Sequence, residues 1–518
     1  MTTPVFTRSR YTGKTLTVAA LAGESAWRAR AARLSSALFG LSFFVVHGWF
    51  CRRRFLFQTD RDEGYALIVA RLVGQGHSLY SEVWSDQPPG YTYLVLGFTR
   101  LFGSSPETAR LMTLAWVGLY LAAIYELCRR QRPGLAGHLG GITAGLCLLL
   151  TYDFVRYSSA AMIGLPSLCC AGIAWVFFAN SERSTRPLPG LVAAAALLAL
   201  SLSIKALSLP IVPLFFCSLG FRLWRQERSA GRNMVAFVTT FLLTWGFTHA
   251  PVLLSSGGEV VYSTHRLGGA QWFADAGPLL GFVRADAWLL IPALIFGLVL
   301  STRRSHAGAF ALGWMVLAAV ALAAYSPVWS HHRYLLLLPS AALIGLGLAD
   351  LVDRLQSTTN QSARWASASA LVVAAVLAVS LFPSARLSKL SGYYRKLPKP
   401  SRTHRMLDKL AGLAPPQPLM VTSQPLYAYR LGWDVPPPLS IVSRKRLSSA
   451  QWGAGGLSDL VLAADPDVVT MDPIWPARAR RRIRRALRYS HRRVLRGHIA
   501  DEIYVRRHKA RKRKQHVD

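Results

Sequence analysis

Eleven apolar stretches, at 34–51, 106–127, 136–150, 160–180, 188–204, 206–219, 234–254, 287–300, 309–325, 334–350 and 366–382, run through this chain of 518 residues. They leave it few folds to choose from. A helix needs about 20 mostly apolar residues to cross a hydrocarbon core. Within that core every backbone N–H and C=O must be satisfied inside the segment, which a helix achieves and an open strand does not. The expected fold class is a polytopic α-helical membrane protein of about 11 transmembrane helices, with a small C-terminal α/β domain.

One assignment decides the topology. Read as a single helix, residues 188–219 would extend ~48 Å, well past a ~30 Å core. Lys205 would then lie mid-membrane, at ~2.5–3.5 kcal/mol, and Pro210 and Pro213 would interrupt the helix. A hairpin of two spans puts Lys205 at a membrane face instead. It also keeps Arg222, Arg225, Arg228 and Arg232 on the side of Arg129, Arg130 and Arg132, as the basic bias of cytoplasmic loops requires. With the N-terminus inside, the loops carrying Asp62, Asp153, Lys205, His265 and His331-His332-Arg333 all face outward. Arg52, Arg53 and Arg54 run against the bias, which weakens in long loops.

The chain divides into a cytoplasmic segment (1–33), a membrane domain (34–382) with a large first external loop (52–105), and an extracytoplasmic α/β domain (383–518). In the last, strands are expected at 419–422, 439–442, 468–471 and 503–505, with helices at 457–464 and 477–489. The net charge of +35 superficially suggests nucleic acid. Because the arginines flank apolar spans, orientation and attraction to anionic lipid explain it better, and no nucleic-acid partner is expected. The run from Arg478 to Lys514 reads as a solvated face or flexible arm suited to anionic lipid headgroups or an acidic polymer. The six cysteines fall inside or beside apolar spans without metal spacing, so they read as small buried hydrophobes.

The polar first loop holds the chemistry. Asp62 and Glu63 precede Tyr65, Leu67, Ile68, Ala70, Leu72 and Val73, whose spacing is helical. The acidic pair therefore sits at a helix start, where it either caps the helix or acts as a general base at the membrane face. Asp60 competes for the second role. Downstream, Gln87-Pro88-Pro89-Gly90 forms a rigid turn, since each proline fixes φ and removes a donor. Taken in order, Asp62-Glu63-Gly64-Tyr65-Ala66, Gly76-His77-Ser78-Leu79-Tyr80, Trp84, Pro88-Pro89-Gly90, Gly103 and Arg110-Leu111 resemble the first external loop of the C-type, polyprenyl-phosphate-sugar-dependent glycosyltransferases. That superfamily includes the protein O-mannosyltransferases and the lipid A aminoarabinose transferases. Gln424-Pro425, Tyr427-Ala428, Arg430-Leu431-Gly432 and Val435-Pro436-Pro437 look like the external C-terminal domain of its bacterial members.

The resemblance implies Asp62 as catalytic base, direct displacement with inversion at the anomeric carbon, and a lipid-linked donor at the plasma membrane. A glycan, lipid or protein acceptor is implied with it. Many relatives have Lys before Pro-Pro where this chain has Gln87, so another cation is expected to meet the donor phosphate: Lys205, Arg333 with His332, or Arg61. Each has a plainer reading. Lys205 would snorkel to the interface, and His331-His332-Arg333-Tyr334 would be a basic-aromatic anchor. Asp153 is a second external carboxylate, either orienting the base or sugar with Glu63 or pairing with Arg156. Adjacent histidines are poorly spaced for one metal, and no phosphate-cradling glycine loop occurs, so neither metal nor nucleotide cofactor is expected. A lipid or glycan transporter, or a non-catalytic envelope-assembly subunit, are the rival readings.

Overall fold

In the computed structural model, the described residues are 14–57, 60–256, 271–272, 277–326, 328–362, 364–369, 382, 384–395, 402–443, 446–447, 456–496 and 502–507. Eight of their helices are long and apolar enough to cross a membrane, at 34–56, 106–131, 164–181, 206–224, 230–254, 277–302, 306–324 and 330–357. Two further apolar stretches are helical but atypical. Leu135–Leu149 is bent by 84° into the short helix Tyr152–Ser158, and Leu188–Ile204 has 17 residues. The expected last span, 366–382, lies mostly outside the described residues.

The hairpin forms at Lys205. Extended dihedrals there (φ −156°, ψ 134°) end the helix Leu188–Ile204, and a 3-10 turn over Ala206–Ile211, containing Pro210, redirects the chain. Neighbouring contacts fix the reversal. Ser167, early in the helix Gly164–Ser181, donates to the Ser201 carbonyl at 3.0 Å, whereas Ser218 donates to Glu182 at that helix's far end at 3.4 Å. Five of the six cysteines are buried and Cys217 is exposed.

The bundle has two chemically different ends. At one, Asp350 accepts from Arg132, Arg303 and Arg354, the last at 3.0 Å. Glu126 binds Arg129 and Arg130 nearby in sequence at 2.7 and 2.5 Å. The other end carries Lys205, the Asp153 helix, the His331-His332-Arg333 turn and the first loop. That loop is folded. Helix α1 (Lys14–Phe57) is followed by α2 (Arg61–Gly74) and α3 (Gly90–Phe102), which bury Leu67, Ile68, Leu72, Tyr91 and Val95 together. The sequence marked α2 by its apolar period, but α3 stood hidden behind the proline turn.

The C-terminal region contains a four-stranded sheet in the order Met420–Thr422, Val468–Met471, Glu502–Arg506, His491–Arg496. The first pair is parallel, the others antiparallel. Helices Gly456–Ala463 and Ala477–Ser490 lie where expected. Residues 439–442 are not a strand: Pro437–Leu439 forms a 3-10 turn, since Pro436 to Pro438 offer no N–H to a ladder. The basic run is not an arm over its described part. It supplies a helix that buries Ile483 and Leu487, then two strands.

The domain sits on the first loop. Gly64 packs so closely on the helix Pro425–Leu431 that a Cβ would lie 2.5 Å from the Leu426 nitrogen. Tyr65 donates to the Val442 carbonyl at 2.9 Å. Arg61 reaches Asp472, just past the strand Val468–Met471, at 2.6 Å.

Candidate active site

Asp60 caps α2, its side chain accepting from the Asp62 backbone N–H at 3.0 Å. That leaves the Asp62 carboxylate unused by the cap. The residue is exposed, yet Asp60, Arg61, Asp86 and Lys205 all lie close enough to act on its carboxylate. Loss of bulk water raises its carboxyl above the ordinary range, and the charge of Asp60 adds to the rise. Lys205 and Arg61 oppose it, while Asp86 reinforces it. A base with a raised pKa holds an abstracted proton more firmly than a free carboxylate does.

The proline turn brings the remaining groups to this carboxylate. Gly90 abuts the last turn of Leu188–Ile204, where a Cβ would come within 2.5 Å of the Ser203 carbonyl oxygen. This contact holds the proline turn against the end of that helix, and Asp86 in the turn lies close enough to act on Asp62. Gln87 donates to Asp86 at 2.9 Å, and its Oε1 is buried with no hydrogen-bond partner among the described residues. Such an orphaned acceptor is costly, and strain, a catalytic role or an ordered water accounts for one in a folded protein. Across the corner, Lys205 Nζ lies 3.3 Å from Nε2 of His331. Gly164 borders both, since a Cβ there would fall in ordinary contact, 3.7 Å from Lys205 Nζ and 3.8 Å from His331 Cδ2.

Several expected site residues are committed elsewhere. Glu63 does not join Asp62 at the surface. It is fully buried, accepts from Arg110 Nε at 2.6 Å and from the Ala161 backbone N–H at 2.8 Å, and so ties α2 to the membrane helices. It is a positioning residue. Arg333 is not available to a phosphate either. It donates to Asp286 at 2.9 Å and to Asp153, and Arg386 closes the network on Asp286 at 2.7 Å. Two guanidiniums and two carboxylates leave that cluster neutral. Asp153 thus pairs with Arg333 rather than with Arg156 alone. Arg61 is held by Asp472. Of the two histidines, His331 faces Lys205, whereas His332 accepts from the Trp329 backbone N–H at 3.3 Å. His265 lies outside the described residues.

Sequence reading missed Asp286 and Arg386, and it marked Arg110 as part of the loop motif without its partner Glu63. Asp286 had a signal, because an acid inside an apolar run is a default functional candidate. It kinks its helix, Gly277–Thr302, with φ −113° and ψ 15°. Among the described residues no group of three or more His, Cys, Asp or Glu side chains has the geometry to hold a metal.

Comparison with known proteins places this arrangement. Residues 86–252, from the proline turn through the Lys205 corner, match the family described as dolichyl-phosphate-mannose-protein mannosyltransferase. No functionally curated protein matches the sequence. Among solved structures, ArnT from Cupriavidus metallidurans bound to undecaprenyl phosphate aligns over 90% of this chain and 97% of its own, with 16% identity and a TM-score of 0.59. The archaeal oligosaccharyltransferase AglB from Archaeoglobus fulgidus, in complex with an inhibitory peptide and a dolichol-phosphate, aligns over 85% of this chain and 69% of its own. Its identity is 12% and its TM-score 0.54. The chain is therefore a multi-span membrane protein with an ArnT-like fold, and its residues 86–252 match a domain of the dolichyl-phosphate-mannose-protein mannosyltransferase family.

Proposed function

We propose that the protein transfers a sugar from a polyprenyl-phosphate donor to an acceptor hydroxyl at the extracytoplasmic face of the plasma membrane, with inversion. The observation that carries this reading is the placement of Lys205, beside His331, close enough to the Asp62 carboxylate for its charge to oppose the rise in that carboxyl's pKa. The lipid-phosphate ligands of ArnT and AglB support the donor class.

In the reaction the acceptor oxygen attacks the anomeric carbon from the face opposite the phosphate. Its proton passes to Asp62, and the carbon–oxygen bond to the phosphate breaks. The electron pair leaves with the polyprenyl phosphate. Negative charge grows on that phosphate as the bond breaks, so a fixed Lys205 ammonium stabilises the transition state more than the bound donor. His331 lines the same corner. Gln87, with its unpartnered Oε1, takes the place of a phosphate-binding cation and accepts from a sugar hydroxyl. Glu63 and the Asp153–Arg333–Asp286 cluster hold the walls in register, and no cofactor is required. The acceptor is a glycan, lipid or protein of the cell envelope.

The test is mass analysis of cell-envelope glycans, lipids and glycoproteins after deletion of the gene. Loss of one sugar, restored by wild type and not by Asp62→Asn, is expected. An unchanged envelope profile, or restoration by Asp62→Asn, would overturn the reading.

A further inference from the structure

The helix Ala477–Ser490 has a face that its fold does not use. Ile483 and Leu487 are buried, whereas Arg478, Arg481, Arg485 and Arg488 are exposed. Spacings of three and four residues put these arginines in one stripe opposite the apolar side, about 15 Å long at 1.5 Å per residue. None of the four pairs with a carboxylate among the described residues; Arg482, at the stripe's edge, meets Asp459 at 2.7 Å. The other buried or half-buried arginines of this domain are employed structurally, as Arg484 with Glu502 at 2.5 Å and Arg506 with Asp465 at 2.6 Å. Four like charges in a row repel one another and lower helix stability, so folding alone does not call for them.

Placement gives the stripe a direction. The helix starts just after Asp472, the residue that grips Arg61 beside Asp62. It packs on the helix Gly456–Ala463 and the strand His491–Arg496, both within the C-terminal domain. The arginines therefore begin near the Arg61–Asp472 contact and lead away over the C-terminal domain.

We infer that this stripe binds a polyanionic acceptor, a chain bearing regularly spaced phosphates or carboxylates, and guides it to Asp62. The inference rests on the transfer reaction proposed above and specifies its acceptor class. Charge complementarity supplies the attraction: each anion–arginine contact releases counterions, so binding weakens steeply with salt.

The experiment uses the full chain in phosphatidylcholine nanodiscs and fluorescent inorganic polyphosphate as the probe. Wild type is compared with the triple variant Arg481→Gln, Arg485→Gln, Arg488→Gln, whose circular dichroism and melting temperature verify folding. The variant is expected to bind at least about tenfold more weakly, with a log–log salt slope lower by about two. Equal affinity and slope would overturn the inference. The wild-type-to-variant ratio is then measured in discs containing anionic phosphatidylglycerol. A preserved ratio supports the acceptor surface, and a ratio falling to one places the arginines on lipid headgroups and overturns it. Asp62→Asn binds polyphosphate as wild type does, so loss of the transfer reading and loss of the stripe are separable results.

Discussion

Replacing Glu63 by Gln tests whether the base-bearing helix is held by a buried ion pair. Glu63 and Arg110 have no solvent exposure on either side chain, and Glu63 also receives the Ala161 amide. The substitution keeps the volume but strands the Arg110 guanidinium in a dry interior, where water cannot replace the lost carboxylate. Breaking one side of such a pair costs about 3–5 kcal/mol. Part of that cost is offset because Arg110 still donates to the Arg54 carbonyl at 3.2 Å and to the Phe55 carbonyl. A hydrophobic replacement of both partners, Glu63→Leu with Arg110→Met, strands no charge. It should therefore destabilise by much less than the two single changes summed, with a coupling of about 3 kcal/mol. Denaturant unfolding in mixed micelles, followed by tryptophan fluorescence, reads wild type, Glu63→Gln, the two single hydrophobic changes and the double. Additive effects, or a Glu63→Gln protein as stable as wild type, would refute the argument that Glu63 works as an anchor.

Three further outcomes follow from the same geometry. Lys205→Met should lower the transfer rate about 10²–10³-fold with a smaller change in donor KM, as expected for a charge that acts mainly in the transition state; a pure KM effect in steady-state kinetics would contradict this. The acid limb of kcat/KM should lie above the ordinary carboxylate range, because Asp62 must be ionised and its burial raises its pKa. Lys205 opposes that rise, so Lys205→Met should move the limb to still higher pH, and a shift to lower pH would refute the pairing. A raised folded-state pKa also means that Asp62 contributes stability only in its protonated form, which is lost as pH rises through that value. Asp62→Asn should therefore melt no lower than wild type at neutral pH, and a clear drop would assign the carboxylate a structural role. Gly90→Val should uncouple the proline turn from Ser203, given the 2.5 Å approach of even a Cβ, and reduce transfer at unchanged expression; full activity would show that the turn's seat is dispensable.

What the sequence revealed and what it concealed divide along physical lines. Apolar runs report burial in lipid directly, so nearly all the membrane helices were legible, and the cost of a mid-membrane lysine with two prolines marked the break at Lys205. The Asp62 helix was legible through its 3.6-residue period. The helix Gly90–Phe102 was not, because the prolines before it read as a loop. In the C-terminal domain, the strand His491–Arg496 was masked by its arginines, while 439–442 looked like a strand until the preceding prolines are seen to deny it a ladder. Partnerships were the least legible. Nothing local distinguishes Glu63, which is buried against an arginine 47 positions away, from the solvent-facing Asp62. A single residue of phase likewise separates His331 at the site from His332 behind it.

The proposal that Asp62 is the catalytic base is tested most directly by single-turnover transfer from a synthetic polyprenyl-phosphate sugar, with wild-type and Asp62→Asn proteins reconstituted in the same proteoliposomes. The account predicts equal donor binding and a rate lowered by about 10²–10⁴ in the variant. Transfer by the variant at the wild-type rate would contradict it.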